Sequence, residues 1–313
     1  MSALARGCAL AFALASCGDT GTASLSSSTA STATPTPTVS AAQSATTVAS
    51  ASDPAAAIPL TKRFSAVGDR ETRRKEKHLV LKLDITAGGT ATQEDTTEDS
   101  TVEKITEVVS VDGELVTKVK VEYRQSVSNR KTARGTAEEK SPLSGKTYWV
   151  ELLDSKVVIT GADGKPPKPA ELAELTDDHK NFGKGPRLLK ALPESVKVGD
   201  SLDEFAKAFS EAAAGGPEGK GDIKRATAIV KGAREEAGVR IVTIAIEMAM
   251  EGKLPSGLEG KVTMSGTIEL RADRCWPVAS KVTGPVEFTF GGKGLTGTAK
   301  GTLSESTAAT YAP

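Results

Sequence analysis

From about Phe64 onward, apolar and polar residues alternate along most of the chain. Leu79, Leu81, Leu83 and Ile85 share one face of an extended segment, with Lys82 and Asp84 on the other. Leu115, Val119, Val121 and Tyr123 stand in the same way against Val116, Lys118, Lys120 and Glu122. The pattern returns in Val242, Ile244, Ile246, Met248 and Met250, in Val262, Met264, Ile268 and Leu270, and in Val286, Phe288 and Phe290. Period two with one wet face predicts half-buried antiparallel strands. Turn signals fall between them: Asp112-Gly113 is a two-residue hairpin candidate, Asp163-Gly164 closes another strand, and Asp273-Arg274 marks a reversal before Trp276.

Helical spacing is confined to the middle of the chain. It covers 169–180 and 202–214, the second with Leu202, Phe205, Ala206 and Phe209 on one side and Gly215-Gly216-Pro217 as its stop. A shorter helix is expected near 187–191. Val67-Gly68-Asp69 returns as Val198-Gly199-Asp200, each time ahead of a strand-rich half, which raises duplication of 59–165 and 196–313 around a helical 166–195. The expected fold is mainly β: a long antiparallel sheet, curved or half-barrel, covered by two or three central helices.

The first fifth of the chain reads differently. Residues 7–16 form an apolar run whose helix would rise about 15 Å, half the hydrocarbon layer, so it is read as an export signal rather than a span. Residues 18–58 are rich in Ser, Thr, Ala and Pro and hold four large aliphatic side chains, Leu25, Val39, Val48 and Ile58. Too little apolar surface is present there to offset the entropy of ordering, so a linker is expected, on the order of 35 Å end to end as a flexible coil.

Leu14-Ala15-Ser16-Cys17, placed between that signal and that linker, resembles the lipobox of bacterial lipoproteins. The resemblance implies cleavage between Ser16 and Cys17, acylation of Cys17, and a place in the bacterial cell envelope, at the outer membrane, with the membrane itself as first partner. Two or more acyl chains anchor a protein stably where one does not. The β-rich arrangement is also similar to envelope lipoproteins with a half-barrel folded around a helix, some of which carry lipids. With Cys8 in the signal and Cys17 acylated, Cys275 has no partner and is expected as a buried small hydrophobe.

Charge narrows the function classes. The chain carries 40 Lys and Arg against 40 Asp and Glu, so it lacks the basic surplus that a nucleic-acid binder uses to displace counterions. Aromatics make up 4% of the chain, so the core must be aliphatic.

Gly199-Asp200-Ser201-Leu202 spells the motif of a large esterase and lipase family in which the serine is the nucleophile. Those enzymes place the base late in the chain, whereas His78 and His179 both precede Ser201 and Thr176 stands where the aspartate should be. Ser201 is read instead as a helix cap with Glu204 completing a capping box. No cofactor is expected, and two isolated histidines with one usable cysteine do not make a zinc site. Asp177-Asp178-His179 reads as a solvated helix end, Glu94, Asp95, Glu98 and Asp99 as a mobile connection, and Arg70, Arg73, Arg74, Lys75 and Lys77 as a solvated strand face. The leading reading is therefore a non-catalytic envelope lipoprotein that meets a protein or cell-wall partner. The alternative is a carrier of lipid or another apolar ligand, and the most remote is a serine hydrolase.

Overall fold

The computed structural model describes residues 56–213, 221–253, 259–292 and 295–312. Cys17, Ser16 and the Gly215-Gly216-Pro217 stop lie outside them. Two antiparallel meanders share one sheet. The first contains β2 (Arg70–Ala87), β3 (Thr90–Asp112), β4 (Leu115–Thr132), β5 (Gly135–Lys140), β6 (Lys146–Leu153) and β7 (Lys156–Gly161). The second contains β9 (Gly221–Glu236), β10 (Val239–Lys253), β11 (Glu259–Arg271), β12 (Pro277–Gly292) and β13 (Leu295–Ala312). The last strand, β13, pairs with β2 from Leu295↔Ala87 to Ala312↔Arg70, so both meanders become one sheet ordered β7-β6-β4-β3-β2-β13-β12-β11-β10-β9. β5 and β6 continue one another along β4, interrupted by a turn in which Gly145 donates to the Tyr123 carbonyl. The mainly β expectation holds.

Between the meanders lie three helices, α1 (Pro169–Asp178), α2 (Arg187–Lys190) and α3 (Asp203–Ala213), close to where the spacing placed them. A two-stranded ribbon pairs β1 (Ile58–Pro59) with β8 (Ser195–Val196). Ile58, assigned to the linker by composition, is buried in the core and belongs to the folded domain. The Asp112-Gly113 hairpin forms one residue later than expected: Asp112 pairs with Leu115, and the loop is Gly113-Glu114, with Gly113 at φ +56°.

The inward face carries three apolar clusters. Phe205 and Ala206 of α3, with Leu202 just before it, pack on Val230, Val242, Ile244, Ile268 and Leu270. Leu79, Leu81 and Leu83 meet Met248, Met264, Val286, Phe288 and Leu303. Leu175 of α1 packs on Val119, Val121, Tyr148 and Val150. Each strand gives every second residue to this face, which is why period two was visible in the sequence.

The two Val-Gly-Asp turns share one hydrogen-bond scheme. Gly68 donates to the Val108 carbonyl at 2.9 Å, Val108 returns a bond to the Asp69 carbonyl at 2.9 Å, and Ala66 N–H reaches Asp69 Oδ2 at 2.7 Å. In the second turn Gly199 donates to Val230 at 2.8 Å, Val230 to Asp200 at 3.0 Å, and Lys197 N–H to Asp200 Oδ2 at 2.7 Å. Both glycines are left-handed, at φ +90° and +95°. The halves then diverge, since β2 follows the first turn and α3 the second.

Three segments expected to be solvated or irregular, two on this sheet and one at the end of α1, are partly or wholly taken into the packed structure. Glu94, Asp95, Glu98 and Asp99 lie within β3, and buried Glu98 pairs with Lys77 at 3.1 Å and Arg130 at 3.2 Å. Burial pushes the Glu98 carboxyl up, but the two cations outweigh it and hold it below the usual range. On β2, Arg73, Lys75 and Lys77 point inward beside Glu71, Glu305 and Glu98, while Arg70 and Arg74 face solvent. Asp178 and His179 are buried, and only Asp177 of that trio fits the solvated reading.

Candidate functional site

Two places on the inward face concentrate side chains that do more than fill space. The first is the underside of α1. Glu171, Glu174 and Asp178 share one helical face with Leu175, so the helix docks through carboxylates as well as leucine. Lys146 Nζ lies 2.7 Å from Glu171 and the Tyr148 hydroxyl donates to it at 3.0 Å; Ser141 donates to Glu174 at 2.5 Å. Lys104 Nζ reaches both oxygens of Asp178 at 2.9 and 2.7 Å, the Tyr123 hydroxyl also donates to Asp178, and His179 Nε2 is 3.3 Å from that hydroxyl. Burial raises the Asp178 carboxyl, but the charge and hydrogen bonds of Lys104, with the Tyr123 hydroxyl, hold it low. Burial drives His179 down to about 4, against the pull of Asp178. Each carboxylate has a dedicated partner, and no group of three or more metal-ligating side chains occurs among the described residues. This network fixes α1 to the sheet.

The second place is an apolar cavity of about 600 Å³ between the inward face and the helices. The sheet supplies Ile246 and Met248 from β10, Met264, Ile268 and Leu270 from β11, Val282 from β12 and Leu303 from β13. Opposite them stand Phe205, Phe209, Ala212 and Ala213 of α3, and Phe182, Leu188, Leu189 and Leu192 from the segment that crosses from α1 to α3. Phe64, Leu115, Val116 and Trp276 complete one end. Thus both halves of the chain line the same cavity. Its size falls within the roughly 300–1,000 Å³ of small-molecule sites, and its lining is of the apolar kind such sites use.

Trp276 is positioned firmly. Its indole Nε1 donates to the Arg63 carbonyl at 2.8 Å, its ring meets Tyr311 at 4.7 Å, and the Arg63 and Arg274 guanidiniums lie 5.0 and 5.3 Å from the ring centre. Cys275 beside it is buried, as expected, with its thiol pushed up to about 11 by burial. It sits at φ +57°, so the 271–276 turn is tight: Cys275 donates to Arg271 at 2.7 Å, and Arg271 to Trp276 at 3.0 Å.

Ser201 is taken up by local contacts. It bridges to Ile229 at the edge of β9, and its hydroxyl donates to Asp203 Oδ1 at 2.5 Å. The helix starts at Asp203, with Ala206 donating to the Leu202 carbonyl, so Leu202 rather than Ser201 occupies the cap position. His78, exposed on β2, pairs with Asp99 at 2.5 Å, and His179 is committed to the α1 network.

Sequence reasoning named many of the residues that line the cavity but treated them as core. Nothing in a single strand pattern tells a packed inward face from a hollow one, because that depends on how far the helices stand off.

No family model matches this chain, and no curated protein matches it. Among solved structures, lipovitellin, described for its lipid–protein interactions, aligns at 5% identity and TM-score 0.33, over 77% of this chain and 25% of that one. This chain therefore spans about a quarter of the lipovitellin length. DynF of the dynemicin biosynthesis pathway of Micromonospora chersina aligns at 9% identity and TM-score 0.19, over 81% and 85% of the two chains. An outer membrane channel from Pseudomonas putida F1 gives 8% identity and TM-score 0.22, over 79% and 97%. At these scores the site has to be read from its own residues. No helix among the described residues is long and apolar enough to cross a membrane.

Proposed function

We propose that this protein is a lipid-anchored envelope protein, tethered through acylated Cys17, whose sheet and central helices enclose an acyl lipid or a comparable apolar ligand. The observation that carries the reading is the apolar cavity of about 600 Å³, lined from both halves of the chain. A domain selected only for stability gains by closing such a space, since each unfilled volume forfeits packing.

The test is native mass spectrometry of the whole chain carrying Cys17→Ser, made in a bacterial envelope and purified without detergent. A reproducible extra mass, released on denaturation and identified as lipid, is expected; Met264→Trp, which fills the cavity, should abolish it. A bare mass in the unsubstituted cavity rejects the carrier reading. Cys17→Ser should also move the protein from the membrane to the soluble fraction, and retention in the membrane would overturn the anchor.

A second reading, binding of a protein partner, is favoured by β7. This strand ends the sheet with no strand on its outer side among the described residues, and Val157 and Val158 are exposed on it. Open edges of this kind accept an added strand. The opposite edge, β9, is covered from Ala228 to Val230 by the chain's own 199–202 segment.

A further inference from the structure

The charged residues around the cavity, and the end of the sheet at which they stand, narrow the class of ligand. Arg63, Arg73, Lys184 and Arg187 line it, together with Glu114, Glu211 and Glu305. Most of these are committed to partners. Arg63 pairs with Asp69 at 2.7 Å, Arg73 with Glu71 at 2.7 Å, Glu114 with Lys190 at 2.6 Å, and Glu305 with Lys75 at 3.0 Å. Among the described residues neither Lys184 nor Arg187 has a carboxylate partner, and both are exposed. Glu211, the remaining carboxylate, lies near the far end of α3.

Lys184 and Arg187 belong to the crossing segment, beside Leu188, whose apolar side chain is 37% exposed. Gly183 and Gly185 flank Lys184 at φ +79° and +77°. Lys190 ties this segment to Glu114 of the β3–β4 hairpin. That hairpin lies at the same end of the sheet as the β9–β10 hairpin, the 271–276 turn and the start of β2. The N-terminal chain enters at this end too: Thr61 donates to Ala272 and Arg63 to Arg274. From here the cavity extends along β11 from Leu270 to Met264, six residues or about 20 Å at ordinary strand rise. The space is thus elongated, apolar along its length, and cationic where the chain enters.

We infer that the ligand is an acyl lipid with an anionic head group, its chain lying along β11 and its head group held at Lys184 and Arg187. The inference rests on the carrier reading above. A carboxylate or phosphate drawn deep among Met248, Met264 and Leu303 would lose its hydration without a partner, whereas at Lys184 and Arg187 it keeps water and gains charged donors. Because residues 61–63 lie at the cationic end, a membrane holding the proposed anchor is a candidate source of the ligand.

The test uses the whole Cys17→Ser chain and three probes: dansylundecanoate, its uncharged methyl ester, and phosphatidylcholine vesicles doped with pyrene-labelled phosphatidylglycerol or phosphatidylcholine. The acid is expected to bind about tenfold more tightly than the ester, equivalent to about 1.4 kcal/mol. Lys184→Glu with Arg187→Glu should erase that preference, so that the acid binds no more tightly than the ester. Both positions are exposed, so the urea midpoint of the double variant should match the parent. Preferential removal of pyrene-phosphatidylglycerol from vesicles would name membrane phospholipid as the source; acid binding without phospholipid removal would name a free fatty acid, and either supports the inference. Equal binding of acid and ester overturns the head-group assignment but leaves the carrier reading intact. Binding of none of the probes rejects both.

Discussion

Asp178 and His179 are neighbours at the end of α1, and burial acts on them in opposite directions. The carboxylate is kept charged by Lys104, while the imidazole has no second anion and is kept neutral. A histidine with its folded pKa near 4 and its unfolded pKa near 6.5 contributes stability above the unfolded value. As pH falls from about 6.5 to about 4 the unfolded chain binds a proton that the folded one refuses, and on the order of 3 kcal/mol is lost. Asp178 has the same sign, losing its contribution only below the usual carboxylate range. Urea titrations of the parent should therefore show stability falling across pH 6.5 to 4, and His179→Gln should flatten that slope; an unchanged slope would place the titration elsewhere. Cys275 gives a separate check. With its thiol pushed up to about 11 and buried, maleimide at pH 8 should leave Cys275 unlabelled in the native protein and modify it only in urea, as read by peptide mass mapping. Burial of Cys275 was legible from cysteine arithmetic. The α1 network was not, because a run of Asp, Asp and His looks solvated until Lys104 and Tyr123, distant in sequence, are brought against it.

At the scale of elements, curvature depends on a line of glycines that the strand pattern does not reveal. Gly266, Gly284 and Gly301 sit on adjacent strands β11, β12 and β13, each on the inward face, with a two-residue offset from strand to strand. A Cβ at these positions would come within 1.9 Å of the Lys281 oxygen, 1.8 Å of the Thr263 oxygen and 1.7 Å of the Val80 oxygen. The strands are pinched together there, so the sheet folds toward the helices along a diagonal crease. Gly284→Ala should cost about 3 kcal/mol or more in urea unfolding, at or beyond the top of the range for overpacking. Gly232→Ala on β9, where nothing lies within 4 Å of the added methyl, should be near neutral. Equal effects at the two positions would remove the crease as the source of curvature. The helices and the apolar strands were legible because their periods differ, 3.6 against 2. The start of β3, Thr90-Ala91-Thr92-Gln93-Glu94-Asp95, was not, since polar residues on both faces hide the alternation and only pairing with β2 makes it a strand.

For the whole molecule, the decisive feature is that the last strand closes onto the first long one. β13 and β2 are paired along their full length, and the Tyr311 hydroxyl of β13 donates to the Pro277 carbonyl at 2.7 Å and lies 3.1 Å from Glu71, bringing both meanders together at one point. An ion pair crosses the same seam, Lys75 with Glu305 at 3.0 Å. No local signal announces a contact between residues more than two hundred positions apart, so the sequence allowed two halves without saying how they join. If the seam makes one cooperative unit, the halves cannot unfold separately. The chain contains two tryptophans, and each reports on a different half: Trp149 on β6, with Lys118 and Lys120 near its ring, and Trp276 beside Tyr311 at the seam. Trp149→Phe and Trp276→Phe should each give a single urea transition, and circular dichroism in each variant should trace the same midpoint as its fluorescence. Leu303→Asp, which places a charge in the buried face of β13, should lower both midpoints together. A fluorescence transition of Trp149 that persists after circular dichroism has lost the second meander would mean that the first half folds alone, and the cavity that needs both halves would then open well before the protein unfolds.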